Sequence, residues 1–135
     1  MALIDWNSNL SVNVIEIDLQ HQKLITLINE LNDAMTQGKS KAILGKIVDG
    51  LVIYTTVHFK TEEKYFAKFG YPDANSHEKE HSAFIQKVTD VKDRFEKGEI
   101  SLSIEIMNFL RDWLRKHIKG TDKQYSQFFN ERGLK

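Results

Sequence analysis

The segment His77-Glu-Lys-Glu-His81 is the first candidate for chemistry in this sequence. It matches H-E-x-x-H, the zinc-metalloprotease pattern, in which two histidines one helical turn apart hold the metal. It also matches the inverted pattern H-x-x-E-H. Under this interpretation His77 and His81 would bind zinc, and Glu78 would be the general base. The chain has three further histidines, however, and the motif has to be judged together with them.

Hydrophobic periodicity predicts four amphipathic helices, over about residues 18–37, 41–69, 74–97 and 101–119, with a further helical stretch at 121–131. Short connections between them favour an all-α fold, an antiparallel up-down-up-down four-helix bundle. An irregular all-α domain is the alternative. Asp18 and Ser40 are the expected N-caps of the first two helices. Residues 1–17 are expected to form an extended N-terminal arm that packs onto the bundle through apolar side chains, namely Trp6, Val12, Val14, Ile15 and Ile17.

All five histidines are expected at one end of such a bundle. The start of the first helix, the end of the second, the start of the third and the end of the fourth meet there, and these positions hold His21, His58, His77, His81 and His117. A single histidine on an apolar helix face is commonly a core residue bonded to a carbonyl. Five desolvated imidazoles close together would repel one another if charged, and a metal that accepts their lone pairs removes that cost.

Two carboxylates are expected on the same faces. Glu62 follows His58 by four residues and therefore points to the same side of the second helix. Asp122 follows His117 by five residues, which rotates it off the histidine's face in a regular α-helix. Gly120 lies between them, and we predict a π-bulge or bend there that returns Asp122 to the site. The remaining acidic candidates are expected on solvated faces, namely Glu63, Glu78 and Glu80.

The number of donors predicts two metal ions. Five imidazoles and two carboxylates exceed the roughly four ligands of one zinc ion. Two octahedral ions need about twelve positions, and two bridging carboxylates, five histidines and a bridging oxide or hydroxide fill about eleven of them. Such a donor set with one open position suits iron best, although zinc or manganese would also bind. The peptidase interpretation leaves three histidines unexplained, and a compact bundle of this size has no evident substrate cleft.

The complete pattern resembles the hemerythrin family, in its stand-alone bacterial form. It consists of His21, then His58-Phe-Lys-Thr-Glu62, then the HEKEH segment, then His117-Ile-Lys-Gly-Thr-Asp122. The resemblance implies two iron ions joined by an oxo or hydroxo bridge. One iron would be held by His77, His81 and His117, the other by His21 and His58, with both carboxylates bridging. The two-histidine iron would keep the open position, at which the family binds O2 reversibly. The resemblance also implies an apolar oxygen pocket, formed by Leu24, Phe59, Trp113, Leu114 and Tyr125.

Composition narrows the expected partners. Nineteen basic and nineteen acidic residues cancel, so nothing in the charge suggests nucleic acid or an anionic membrane as a partner. The chain lacks cysteine, and we find neither a signal peptide nor a membrane span, which favours a cytoplasmic protein.

We expect a single monomeric domain over residues 1–135, with the arm at 1–17 and the bundle at 18–131. We expect an oxygen carrier for storage, transport or delivery, with O2 and an oxygen-using protein as partners, and not an enzyme. The alternatives are a sensing module that acts through a partner protein, and a di-iron enzyme acting on O2, peroxide or nitric oxide.

Overall fold

The fold is a bundle of four antiparallel helices. The computed structural model describes residues 4–39, 41–98 and 104–135. The four helices are α1 (Ile15–Thr36), α2 (Lys41–Phe69), α3 (Ala74–Glu96) and α4 (Ile104–Asp112). Helix α4 continues without a break through a π-helical segment (Trp113–Thr121) and a 3-10 turn (Asp122–Tyr125) into a last short helix, α5 (Ser126–Glu131). The predicted all-α up-down-up-down architecture is confirmed.

The third helix has one stripe of buried residues. Its members are spaced alternately by four and three residues, and all face the bundle interior: His77, His81, Phe84, Val88, Val91 and Phe95. Gly38, Gly70 and Gly98 follow α1, α2 and α3 with φ angles of 64°, 67° and 74°. Such left-handed residues are typical helix terminators, so glycine at these positions ends each helix where the periodicity stops. The predicted cap Ser40 and the predicted start of the fourth helix at 101–103 lie outside the described residues.

The predicted N-cap at Asp18 is wrong, because α1 begins three residues earlier, at Ile15. Asp18 instead lies in the first turn, where its carboxylate accepts hydrogen bonds from the Ser11 hydroxyl at 2.6 Å and the Val12 backbone N–H at 2.8 Å. A negative charge at a helix N-terminus is also favoured by the helix dipole. Asp18 therefore ties the N-terminal arm to the start of α1.

The arm packs onto the bundle as predicted, with one exception. Val12, Val14 and Ile17 are completely buried, and Trp6 is half-buried against the larger of the two apolar clusters described below. Ile15 was expected to pack inward but is 69% exposed, because the helix already starts there and turns this side chain to solvent.

The apolar interior consists of two clusters. The larger one fills most of the bundle and includes Leu24, Leu51, Phe59, Val88 and Leu110. The smaller one closes the end of the bundle, where arm residues meet α2 and the C-terminal segment: Val12, Val14, Ile17, Phe66, Tyr71, Tyr125 and Phe129. Buried polar side chains lie between the two clusters, since Phe59 of the larger cluster and Phe66 of the smaller one both stack on His81.

The helix widens where the sequence predicted a bulge. From Trp113 to Thr121 the backbone is π-helical, and the Asp122 N–H donates to the carbonyl of His117, five residues earlier. Closure over five residues instead of four brings His117 and Asp122 one turn apart on the same side of the helix. The prediction of a π-bulge near Gly120 is therefore confirmed.

Helix α2 is more apolar than the sequence analysis allowed. Among the described residues it is the single helix whose length and composition would suffice to cross a membrane, with a mean hydropathy of 1.3 over its best window. The sequence analysis identified no membrane span, and this helix meets only the criteria of length and composition. The same helix carries the buried His58 and Glu62 in the centre of the bundle, and 33% of its most apolar window is buried.

Candidate metal centre

Seven buried histidine and carboxylate side chains meet between the four long helices. Helix α1 provides His21, α2 provides His58 and Glu62, α3 provides His77 and His81, the π-helical segment provides His117, and the 3-10 turn begins with Asp122. Each of these residues is at most 2% exposed. The structure therefore brings together all seven side chains that the sequence analysis singled out as metal ligands.

The seven side chains form two groups that share both carboxylates. Within each group, one nitrogen or oxygen of every member lies within 4.8 Å of the others, so that each group could hold a metal ion. The three-histidine group contains His77, His81 and His117, the two-histidine group contains His21 and His58, and both include Glu62 and Asp122.

Asp122 faces the two groups with different oxygens. Its Oδ1 lies 2.7 Å from Nε2 of His77 and 2.9 Å from Nε2 of His117. Its Oδ2 lies 3.2 Å from Nε2 of His21. The carboxylate therefore spans the two groups, as a bridging ligand would.

Glu62 uses one oxygen toward both groups. Its Oε1 lies 3.2 Å from Nε2 of His58 and 3.0 Å from Nε2 of His81. Its Oε2 accepts a hydrogen bond from the Tyr125 hydroxyl. Tyr125 therefore fixes the orientation of this carboxylate from the side of the smaller apolar cluster.

These close nitrogen–oxygen approaches are not hydrogen bonds. Despite the short distances, several of the inward-pointing atoms have no hydrogen-bond partner among the described residues: Glu62 Oε1, both Asp122 oxygens, and Nε2 of His77, His81 and His117. These atoms meet in the two donor groups instead. In a complex with metal–nitrogen bonds of about 2.1 Å, neighbouring ligand atoms at right angles lie about 3 Å apart. The observed spacing fits that arrangement, and the donor set fits a metal such as iron.

Three outer side chains determine which ring nitrogen carries the proton. Nδ1 of His58 lies 2.6 Å from Oε1 of Gln20, that of His81 lies 3.1 Å from Oε2 of Glu63, and that of His117 lies 2.8 Å from Oε1 of Glu80. Because these oxygens accept hydrogen bonds, Nδ1 donates, and in the neutral ring Nε2 keeps its lone pair facing inward. This is the tautomer that metal-binding histidines require.

The prediction that Glu63 and Glu80 lie on solvated faces is therefore wrong in part. Their side chains are 37% and 41% exposed, but each carboxylate binds a buried histidine. Glu80 precedes His81 in sequence yet contacts His117 on the neighbouring helix, so the contact depends on the packing of α3 against the π-helical segment. Glu78, the catalytic base of the peptidase interpretation, belongs to neither donor group.

The electrostatics of the cluster favour negative carboxylates. Burial acts to raise the pKa of Asp122, but the charge of His117 and the contacts with His21 and His77 outweigh it and hold that pKa well below its ordinary value. The pKa of Glu62 is also lowered, since His58 and His81 outweigh burial and the charge of Asp122. Burial lowers the pKa of His58. For His117 burial is outweighed by the charge of Asp122 and the Glu80 hydrogen bond, which raise its pKa to about 9.

Aromatic rings cover the three-histidine group. Phe59 stacks on His81 and Trp113 stacks on His117, each with ring centroids 3.8 Å apart, and Tyr125 stacks on His77 at 5.6 Å. These three belong to the predicted oxygen pocket, whose other members, Leu24 and Leu114, are buried in the larger cluster. The predicted pocket residues thus lie around the cluster, and Phe59 also contacts His58 of the two-histidine group, with ring centroids 5.6 Å apart. Their role as an oxygen pocket stays a prediction.

Sequence analysis missed two further aromatic contacts. Phe66 lies edge-on to His77 at 4.8 Å, and Tyr54 stacks on His58 at 5.2 Å with an angle of 12° between the ring planes. Tyr54 and Glu62 stand one turn before and after His58 on α2, so helical spacing was the available signal for Tyr54. Phe66 follows Glu62 by four residues, so the same helical spacing could have predicted that its side chain faces the centre.

Comparison with known proteins identifies the family. The family model described as hemerythrin HHE cation binding domain matches residues 13–129. The chain therefore belongs to the hemerythrin family.

Within that family it is similar to bacteriohemerythrins. One from Stenotrophomonas maltophilia (strain R551-3) is 36% identical over 126 residues, which is 93% of this chain and 81% of that protein. Another, from Methylococcus capsulatus (strain Bath), is 35% identical over 126 residues, 93% of this chain and 95% of that protein. A crystal structure of wild-type hemerythrin superposes with a TM-score of 0.88 at 34% identity, covering 93% of this chain and 97% of the other.

The raised pKa of His117 leads to a prediction for the metal-free protein. The folded state keeps a proton on His117 up to about pH 9, whereas the unfolded chain loses it near the ordinary value of 6.5. The stabilising contribution of this proton is complete below pH 6.5 and is lost as the pH rises to 9. We expect the thermal midpoint of chelator-treated protein to fall over this interval. The metal-loaded protein should not show this loss, because a metal replaces the proton on Nε2. Equal midpoints of the metal-free protein at pH 6.5 and 9 would contradict the assignment.

The contact between Glu80 and His117 leads to a second prediction. Replacing an outer partner of a metal-binding histidine typically weakens metal affinity by about 10- to 100-fold. We expect this loss for Fe²⁺ in Glu80→Ala, measured by competition with a chromophoric chelator. Glu78→Ala is the matched control, since it removes the same side chain two residues away on α3 and should leave the affinity unchanged. Equal affinities of the two variants would exclude a role for the Glu80 carboxylate.

Proposed function

We propose that this chain is a non-haem di-iron protein that binds O2 reversibly at one of its two irons. The observation that supports the proposal best is the unequal division of the donors. Three histidines stand on one side of two shared carboxylates, and two histidines stand on the other. If both irons have the same coordination number, the two-histidine group has one position more for an external ligand.

The ligand assignment follows the two groups. His77, His81 and His117 would hold one iron, His21 and His58 the other, and Glu62 and Asp122 would join them. Two iron ions in such a site supply the two electrons that reversible O2 binding requires. The family membership supports this chemistry, and the buried donor atoms without hydrogen-bond partners give the physical reason for bound cations.

The surrounding residues have the properties that a carrier needs. Gln20, Glu63 and Glu80 hold three histidine rings in the orientation that directs Nε2 inward. The Tyr125 hydroxyl holds Glu62 in place. The two apolar clusters on either side of the site exclude water, which would otherwise promote irreversible oxidation of the metals. These functions are binding, orientation and protection, and they support a carrier for storage, transport or delivery.

The carrier function can be tested by metal analysis and visible spectroscopy. We expect about two irons per chain, as the donor number requires. The reduced protein should change its visible spectrum when O2 is added and recover the original spectrum under argon, over repeated cycles. A colourless protein with a single zinc ion would refute the proposal. Steady consumption of O2 in the presence of a reductant would favour a di-iron enzyme, and oxygen-dependent capture of a partner protein would favour a sensing module.

The shared carboxylate provides a mutational test of the site. Asp122→Ala removes oxygens that face both groups, so we expect the variant to lose one or both irons. Glu78→Ala removes the glutamate that the peptidase pattern designates as catalytic base, and it should retain two irons and the O2-dependent spectrum. Iron content per chain and difference spectra of both variants are the measurements. Loss of O2 binding in Glu78→Ala would require a different account of the HEKEH segment.

A further inference from the structure

A buried tyrosine beside the two-histidine group has an unused hydroxyl. Tyr54 precedes His58 by one helical turn, and its ring stacks on the imidazole. The residue is 8% exposed, and its hydroxyl has no hydrogen-bond partner among the described residues. The other tyrosine at the centre, Tyr125, donates to Glu62. A buried hydroxyl without a partner destabilises a fold, so its presence suggests a partner that comes from outside the chain.

An apolar groove leads from solvent to Tyr54. The groove lies between α1 and α2, has a volume of about 330 Å³, and includes Leu27, Ile53, Val57, Tyr54 and His58 in its lining. Ile53 and Val57 are 65% and 56% exposed and form its rim, whereas Tyr54 and His58 are buried and form its deep end. The groove therefore brings small molecules to Tyr54 and to His58, the member of the two-histidine group in its lining.

The position of Tyr54 places a hydrogen-bond donor beside the ligand side chains. Its ring stacks on His58, whose Nε2 lies 3.2 Å from Oε1 of Glu62. A phenol hydroxyl both donates and accepts hydrogen bonds, and burial raises the pKa of Tyr54 well above its ordinary value.

We propose that the Tyr54 hydroxyl donates a hydrogen bond to small ligands that bind the metal of the two-histidine group, and that it selects ligands with an accessible acceptor atom. The inference rests on the proposed function, since it requires a metal held by His21 and His58. Tyr54 is then a specificity-determining residue: it contacts the ligand directly, whereas Gln20 acts on the ligand only through His58. Negatively charged acceptors such as azide should benefit most, because hydrogen bonds to charged groups are the stronger ones.

The test compares azide binding to the oxidised, iron-loaded proteins. Tyr54→Phe keeps the ring that stacks on His58 and removes only the hydroxyl. We expect its azide dissociation constant to rise roughly tenfold or more, the loss typical of a hydrogen bond to a charged group. Tyr65→Phe is the matched control, because its hydroxyl bonds to Glu16 away from the centre, and its azide affinity should equal that of the wild type.

Thermal midpoints of the metal-free proteins separate this role from a structural one. Removing an unpartnered buried hydroxyl should leave the midpoint of Tyr54→Phe unchanged or raise it. A lowered midpoint together with weaker azide binding would assign the hydroxyl to packing and overturn the inference. Two irons per chain with equal azide affinities in Tyr54→Phe and the wild type would overturn the inference alone. A wild-type protein that binds no iron would overturn both the inference and the proposed function.

Discussion

The constraint on which this structure depends is the convergence of histidine and carboxylate donor atoms inside an apolar bundle. Nitrogens of five histidines and oxygens of two carboxylates lie close together with almost no exposure to solvent. Burying polar atoms without partners is unfavourable, and charged ones are worse. Without a metal the site relieves this only in part, by pairing a protonated His117 with the ionised Asp122. Bound cations would satisfy the inward lone pairs, so the apolar surroundings that make the metal-free site unfavourable would also favour metal binding.

The rest of the fold holds this centre from two sides. The larger apolar cluster fixes the four helices relative to one another, and the smaller one closes the end of the bundle with residues that are distant in sequence. Val12 and Val14 of the arm pack in the same cluster as Phe66 and Tyr125, which contact the histidines and Glu62. The hydrogen bonds from Ser11 and Val12 to Asp18 hold the arm in that position. The arm therefore stabilises the centre although it supplies no ligand.

Features that depend on spacing within one helix, and the level at which each helix carries its candidate ligands, could be predicted from the sequence, whereas individual contacts outside the ligand set could not. The stripe of α3, the pairing of His58 with Glu62, and the π-helical segment before Asp122 all follow from helical periodicity. Glu80 illustrates the limit: its own helix directs it outward, and only the approach of His117 from the neighbouring segment gives its carboxylate a buried partner. The predicted start of α1 was wrong for a related reason. Asp18 has the properties of an N-cap, but hydrogen bonds from the folded-back arm place it in the first turn instead.

The two halves of the centre differ in their surroundings as well as in their number of histidines. Around the three-histidine group, Phe59, Trp113 and Tyr125 lie against the imidazole rings, and two carboxylates accept hydrogen bonds from His81 and His117. Negatively charged partners make these imidazoles stronger donors, which suits a metal that remains fully coordinated. On the other side, His58 has a neutral amide as its partner and borders the groove between α1 and α2. The side with fewer histidines is thus also the side that borders the groove, through His58. This agreement between ligand number, charge and position supports the proposal that an external ligand would bind on that side.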